Sequence, residues 1–302
     1  MAPGPTIFPA PLGRGAVVRV IAPASPFEAP PAWRGLGWLA ERYRVRFSRA
    51  LFERAGYLAG SDERRLGELQ NALREPDVAA IVTARGGYGA SRVAHRVDWS
   101  VLRARPRWIV GFSDATALHV EAARVGVASL HACQLVALGR GDACGRAAFV
   151  AALEQPLAWR AWEDLAVLAP GCADGTLFGG NLTLLHACAA AGRLLLPERC
   201  VLLIEDVSER PYRIDRMLTT LHAGGHLRSV TAVVAGAFED CAPGPDGVSV
   251  PAVLAERLGL LGVPVVAGAP VGHGRTNLPA VLGAPARVEA EGETGRVVMG
   301  DR

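Results

Sequence analysis

Short apolar runs alternate, along the first half of the chain, with stretches whose apolar positions recur every three or four residues. Val17–Ile21 is a β-branched run ended by Ala22-Pro23, which predicts a strand stopped where proline has no N–H for a ladder. In Asp62–Arg74, Leu66, Leu69 and Leu73 fall at helical spacing. Val78–Thr83 and Arg107–Phe112 read as buried strands. The first runs into a glycine-rich turn, Arg85-Gly86-Gly87-Tyr88-Gly89, and the second into a helix over Asp114–Val125. This alternation predicts a parallel sheet covered by helices.

The second half opens on Gly179-Gly180-Asn181 and an apolar helix over Leu182–Ala191. Cys200–Ile204 reads as a strand buried on both faces, ending in Glu205-Asp206. Pro211–Ala223 has proline near the first helical position, Ile214, Met217, Leu218 and Leu221 on one face, and Gly224 to close it. Val230–Phe238 and Val263–Ala267 are further strands, the last leading into Gly272-His273-Gly274. Between the halves the pattern weakens. The expected organisation is therefore an N-terminal α/β domain over residues 1–140, a connection over 141–175 and a second domain over 176–302. No internal repeat interrupts it.

Composition narrows the chemistry. All 32 basic residues are arginine, so Schiff-base lysines, Ser–Lys dyads and P-loop lysines are excluded. Net charge is only +3, with no basic stripe, which points away from nucleic-acid and membrane-surface partners. Cys133, Cys144, Cys172, Cys188, Cys200 and Cys241 form no C-x-x-C pair, so a structural metal is not expected, and they read as mostly buried thiols in a reducing compartment. The N-terminal prolines and glycines do not resemble a signal peptide, and no apolar run reaches the ~18 residues of a membrane span. A cytoplasmic protein is the expectation.

Three residues stand where strands meet turns. Ser113 lies between a strand and a helix, where its hydroxyl can project past the sheet edge and the following amides point at the same place. The G-x-S-x-G elbow is incomplete, because Ala115 follows Asp114, and a helix-capping serine is the competing reading. Glu205 ends a buried strand and could orient a histidine, or, like Asp206 and Glu209, serve the next helix. His273 is flanked by glycines that let the backbone approach a substrate. A serine, a base and an orienting acid are what acyl transfer requires. The turn after Thr83 matches neither a P-loop nor a G-x-G-x-x-G fingerprint, which disfavours a nucleotide.

Taken together, Arg85-Gly-Gly-Tyr-Gly-Ala-Ser-Arg92, Gly111-Phe-Ser-Asp-Ala-Thr116, Gly179-Gly-Asn-Leu182, Ile204-Glu-Asp-Val-Ser-Glu209, Pro211-Tyr-Arg-Ile-Asp-Arg-Met-Leu218 and Gly272-His-Gly274 resemble the LD-carboxypeptidases, in family order from about Val17 to Gly283. The resemblance implies a Rossmann-like N-terminal parallel-sheet domain, a smaller β-rich C-terminal domain, and a site formed where they meet. It implies Ser113 as nucleophile, Glu205 as acid and His273 as base. The amides of Asp114 and of Gly86 or Gly87 become the oxyanion donors. The implied reaction removes the terminal D-alanine of murein tetrapeptides during peptidoglycan recycling, in a cytoplasmic homodimer, with no cofactor. Arg85, Arg213 and Arg275 are candidates for the substrate's terminal carboxylate. The rival within the family is a microcin-immunity-type hydrolase of aminoacyl-nucleotide antibiotics. A non-catalytic α/β binding module is the rival from another class.

Overall fold

The computed structural model describes residues 5–141 and 145–300 of the chain, and Cys144 lies outside them. Two compact units are distinguished. One runs to Pro156 and takes back Asn277–Val281; the other comprises Leu157–Thr276 and the chain from Leu282 onward.

In the first unit, strands β1 (Val17–Ile21), β2 (Arg44–Arg46), β3 (Val78–Thr83), β4 (Trp108–Gly111) and β5 (Ser129–His131) join the later β11 (Ala280–Leu282) in one sheet ordered β11-β5-β4-β3-β1-β2. The pairs β1–β2, β1–β3, β3–β4 and β4–β5 are all parallel. The intervening helices are α1 (Ala29–Ala40), α2 (Asp62–Arg74), α3 (Ala90–Ala94), α4 (Ser100–Ala104), α5 (Thr116–Arg124), α6 (Leu135–Arg140) and α7 (Arg146–Glu154). Ile81, Val82, Trp108, Ile109 and Val110 are wholly buried, the near-continuous apolar run expected of strands covered on both faces. Because β1, β3 and β4 run the same way, the segments that follow them emerge at one sheet edge: Ala22–Ser25, Arg85–Gly89 and Phe112–Asp114. Ligands gather at that edge in parallel α/β sheets.

Helix α2 departs from its expected face. Its buried residues are Arg65, Glu68, Leu69, Ala72 and Leu73, whereas Leu66 is half-buried. The helix is rotated so that two charged side chains enter the unit. Glu68 Oε2 accepts the Ala22 amide at 2.8 Å and the Arg64 guanidinium at 2.7 Å, which offsets part of the burial that pushes the carboxylate's pKa up.

In the second unit, β6 (Arg160–Ala169), β7 (Gly171–Asn181), β8 (Cys200–Val207), β9 (Val230–Glu239), β10 (Val265–Ala267), β12 (Pro285–Ala290) and β13 (Thr294–Met299) close a barrel ordered β10-β6-β13-β12-β7-β8-β9. Strands β7 to β10 pair in parallel and the rest of the barrel is antiparallel. Helices α8 (Leu182–Ala190), α9 (Pro211–Ala223) and α10 (Val250–Gly259) provide the crossovers. The mixed α/β class is as expected. Residues 141–175, however, are not a bare connection: they carry α7, β6 and the start of β7. Their weak pattern follows from barrel strands that are only partly buried, β6 reading as scattered buried positions.

Cys133 is disulfide-bonded, the exception among the described cysteines to the expected thiols. Among the described residues Cys172, Cys188, Cys200 and Cys241 lie outside disulfides. No helix among them is long and apolar enough to cross a membrane.

Candidate active site

Each unit carries one part of the expected site. In the first, Ser113 opens a short 3₁₀ turn between β4 and α5 with φ +59°, a left-handed conformation unusual for a non-glycine residue. Such backbone persists only when its surroundings hold it. Here they do. His119, fully buried on α5, donates from Nε2 to the Gly111 carbonyl at 2.9 Å, and Gln134 donates to the Phe112 carbonyl at 2.8 Å. Burial drives the His119 pKa down to about 4, so the ring is neutral and structural.

The turn after β3 lies directly against Ser113. A Cβ on Gly86 would sit 2.9 Å from both Cβ and Oγ of Ser113, and 3.4 Å from the Asp114 amide nitrogen. Glycine is therefore required for this approach. Gly87 has φ +94°, and a Cβ there would meet Ser25 Oγ at 2.4 Å. Ser25 stitches the turn to the end of β1: its amide donates to the Gly86 carbonyl at 3.2 Å, and its Oγ accepts the Tyr88 amide at 3.0 Å. The order β4, Ser113, α5 thus sets a hydroxyl beside a glycine turn, as an oxyanion-stabilising elbow requires.

In the second unit, Glu205 is fully buried near the end of β8, and its Oε2 lies 2.6 Å from His273 Nδ1. That contact assigns the proton to Nδ1 and leaves Nε2 as the basic nitrogen. Gly272 makes the approach possible: φ is +106°, and a Cβ there would fall 2.6 Å from Glu205 Oε2. Burial works against a charged His273, but the Glu205 hydrogen bond and charge, with a smaller contribution from Asp206, outweigh it and raise its pKa. Asp206, the next residue on the strand, points the other way. It accepts from Asn181 Nδ2 at 2.9 Å and from the Thr183 amide at 2.9 Å, while Asn181 caps α8 through the Leu184 amide. The adjacent acids thus divide their work, one orienting the histidine and one anchoring a helix.

Within one unit, then, Ser113, Asp114, Gly86 and Gly87 are brought together; within the other, Glu205 and His273. The three arginines differ in their contacts. Arg85 donates to the Pro26 carbonyl. Arg213, on α9, pairs with Glu209 at 3.5 Å and donates to the Tyr212 hydroxyl. Arg275 is exposed two residues beyond His273. Among the described residues no group of three or more His, Cys, Asp or Glu side chains is disposed to hold a metal ion. Sequence reasoning missed Ser25, Arg65 and the side chain of Asp114. Only the position of Ser25, just past a strand end at the ligand edge, offered a signal.

Models described as the LD-carboxypeptidase N-terminal and C-terminal domains match residues 18–132 and 174–288. The murein tetrapeptide carboxypeptidase of Pseudomonas aeruginosa is 35% identical over 234 residues, spanning 73% of this chain and 76% of its own. Among solved structures, muramoyltetrapeptide carboxypeptidase from Oxalobacter formigenes superposes with a TM-score of 0.86 at 27% identity, covering 94% of this chain and 99% of its own. The microcin C7 self-immunity protein MccF in complex with aspartyl sulfamoyl adenosine shares the fold, with a TM-score of 0.83 at 20% identity over 98% of this chain and 99% of its own.

Proposed function

The chain belongs to the LD-carboxypeptidase family, and from that premise we propose that it is a serine carboxypeptidase that removes the terminal D-alanine of murein tetrapeptides in peptidoglycan recycling. The reading is carried by the 2.6 Å Glu205–His273 hydrogen bond, which turns Nε2 into a base for an elbow serine. His273 takes the Ser113 proton as Oγ attacks the carbonyl of the scissile bond. Glu205 holds the tautomer and stabilises the imidazolium. The amides of Asp114 and of Gly86 or Gly87 receive the developing oxyanion, worth roughly 3–4 kcal/mol per donor in other enzymes. The bond to D-alanine breaks as its amine takes the proton from His273. Water, activated by the same histidine, then hydrolyses the acyl ester and restores Ser113.

An exopeptidase also reads the terminal carboxylate. Arg85 and Arg213 already serve neighbouring groups, so Arg275 is assigned that role. The test is mass spectrometry of a murein tetrapeptide and of an aspartyl sulfamoyl adenosine, each incubated with the protein. Loss of one alanine from the tetrapeptide, with the adenosine compound intact, is the expected result. Cleavage of the adenosine compound alone would replace the reading with that of an antibiotic hydrolase.

A further inference from the structure

The peptide bond between Gly89 and Ala90 is held at both ends by buried charges. Its carbonyl accepts from Arg65 Nη1 at 2.6 Å, and its N–H donates to Asp114 Oδ2 at 2.7 Å. Both side chains are fully buried. The same Arg65 nitrogen donates to the Pro23 carbonyl at 2.6 Å, and its other nitrogen pairs with Asp62, which Arg92 also holds at 2.9 Å. Arg65 therefore ties the glycine turn to the segment after β1, beside the Ser25 stitch. Asp114 ties it to the residue next to Ser113. A Cβ on Gly89 would meet Arg65 Nη1 and Leu58 Cδ2 at 2.7 Å each, and its φ is +133°, so the grip is close and glycine-dependent.

These charges have a cost that calls for an account. Burial disfavours the charged form of both groups and pushes Asp114 up to about 6, against the amides of Ala90 and Gly89 and the charge of Arg65. A cation at the carbonyl and an anion at the N–H also polarise that amide in the same sense, which strengthens both hydrogen bonds.

We infer that Arg65 and Asp114 are positioning residues, which clamp the Gly89–Ala90 peptide from opposite ends and so fix the Gly86–Gly89 turn against the Ser113 hydroxyl. The inference rests on the proposed role of that turn as an oxyanion arm, but the clamp can be read without substrate. Ala90 is the first residue of α3, and first-turn amides have no intrahelical acceptor. In the wild-type protein its amide is expected to be protected from hydrogen exchange, measured by NMR. Exchange at the rate of an unstructured turn would overturn the clamp whether or not any variant folds. Ser113 phosphonylation by a fluorophosphonate then reads its consequence. Asp114→Ala and Arg65→Met, compared with Glu63→Gln on the exposed face of α2, are expected to slow labelling by about 10- to 100-fold, part of an oxyanion donor's effect. They should lower kcat more than they raise KM, and Asp114→Asn should restore most of the rate. Folded variants that label at the wild-type rate would overturn the inference. A wild type that does not label at all would instead remove the proposed function and leave the exchange result to decide the clamp.

Discussion

Glu205 Oε2 and His273 Nδ1 stand 2.6 Å apart although 68 residues separate them in the chain. One comes from the end of a barrel strand and the other from a glycine-flanked turn. The pairing has direct consequences for pH. His273 must be neutral to accept a proton, and its pKa is raised above the ordinary histidine value of about 6.5. The acid limb of kcat/KM for D-alanine release should therefore lie above pH 6.5. Glu205→Gln should move that limb to lower pH and reduce kcat by about 10³- to 10⁴-fold, as loss of the orienting acid does in other triads. A pH–rate profile of both proteins checks this. The pair stabilises the fold below the unfolded pKa of histidine, and that contribution is lost as pH rises through the folded value.

Gly272→Ala tests the approach that the pair needs. Its Cβ would fall 2.6 Å from Glu205 Oε2 and 2.7 Å from Glu205 Cβ, at a φ of +106°. Strain of this kind costs about 1–3 kcal/mol, so thermal denaturation should show a lower Tm, with activity falling alongside as the histidine is displaced. An unchanged Tm with full activity would contradict the geometry.

Much of this arrangement was legible in the residues. Val17–Ile21, Val78–Thr83 and Pro211–Ala223 coincide with β1, β3 and α9, because buried strands and a proline-started amphipathic helix carry strong local periodicity. Glu205 and His273 were identifiable because turns after buried strands expose few residues, and the structure joins them. Other features had no local signal. The spacing of Leu66, Leu69 and Leu73 carries no sign of the rotation of α2 that buries Arg65, whose partners are carbonyl groups at Pro23 and Gly89 far along the chain. Strand β6 carries little local signal because its ladder partners lie far along the chain, as in the pairing of Met299 with Arg160.

Asp114 should leave its own mark on stability. Its folded pKa of about 6 exceeds the ordinary carboxylate value, so the folded state binds more protons than the unfolded chain between these values. Its stabilising contribution is full below about pH 4 and is lost as pH rises through about 6. Urea denaturation should show the wild type losing about 1–1.5 kcal/mol more than Asp114→Asn between pH 5 and pH 7.5. Parallel pH dependence in the two proteins would contradict the assignment.

Arg275→Met addresses recognition. If this exposed arginine reads the terminal carboxylate, its loss removes a charge-assisted hydrogen bond worth about 1.5–3 kcal/mol. That corresponds to roughly a 10- to 150-fold lower kcat/KM, expressed mainly in KM. Arg213→Met, whose guanidinium pairs with Glu209, should change kcat/KM far less.

Ser113 is proposed as the nucleophile of a D-alanine-releasing peptidase. The most direct measurement is mass spectrometry of a murein tetrapeptide incubated with the wild-type protein and with Ser113→Ala. Loss of one D-alanine with the wild type and an intact tetrapeptide with the variant are expected. Release of D-alanine by Ser113→Ala at the wild-type rate would contradict it.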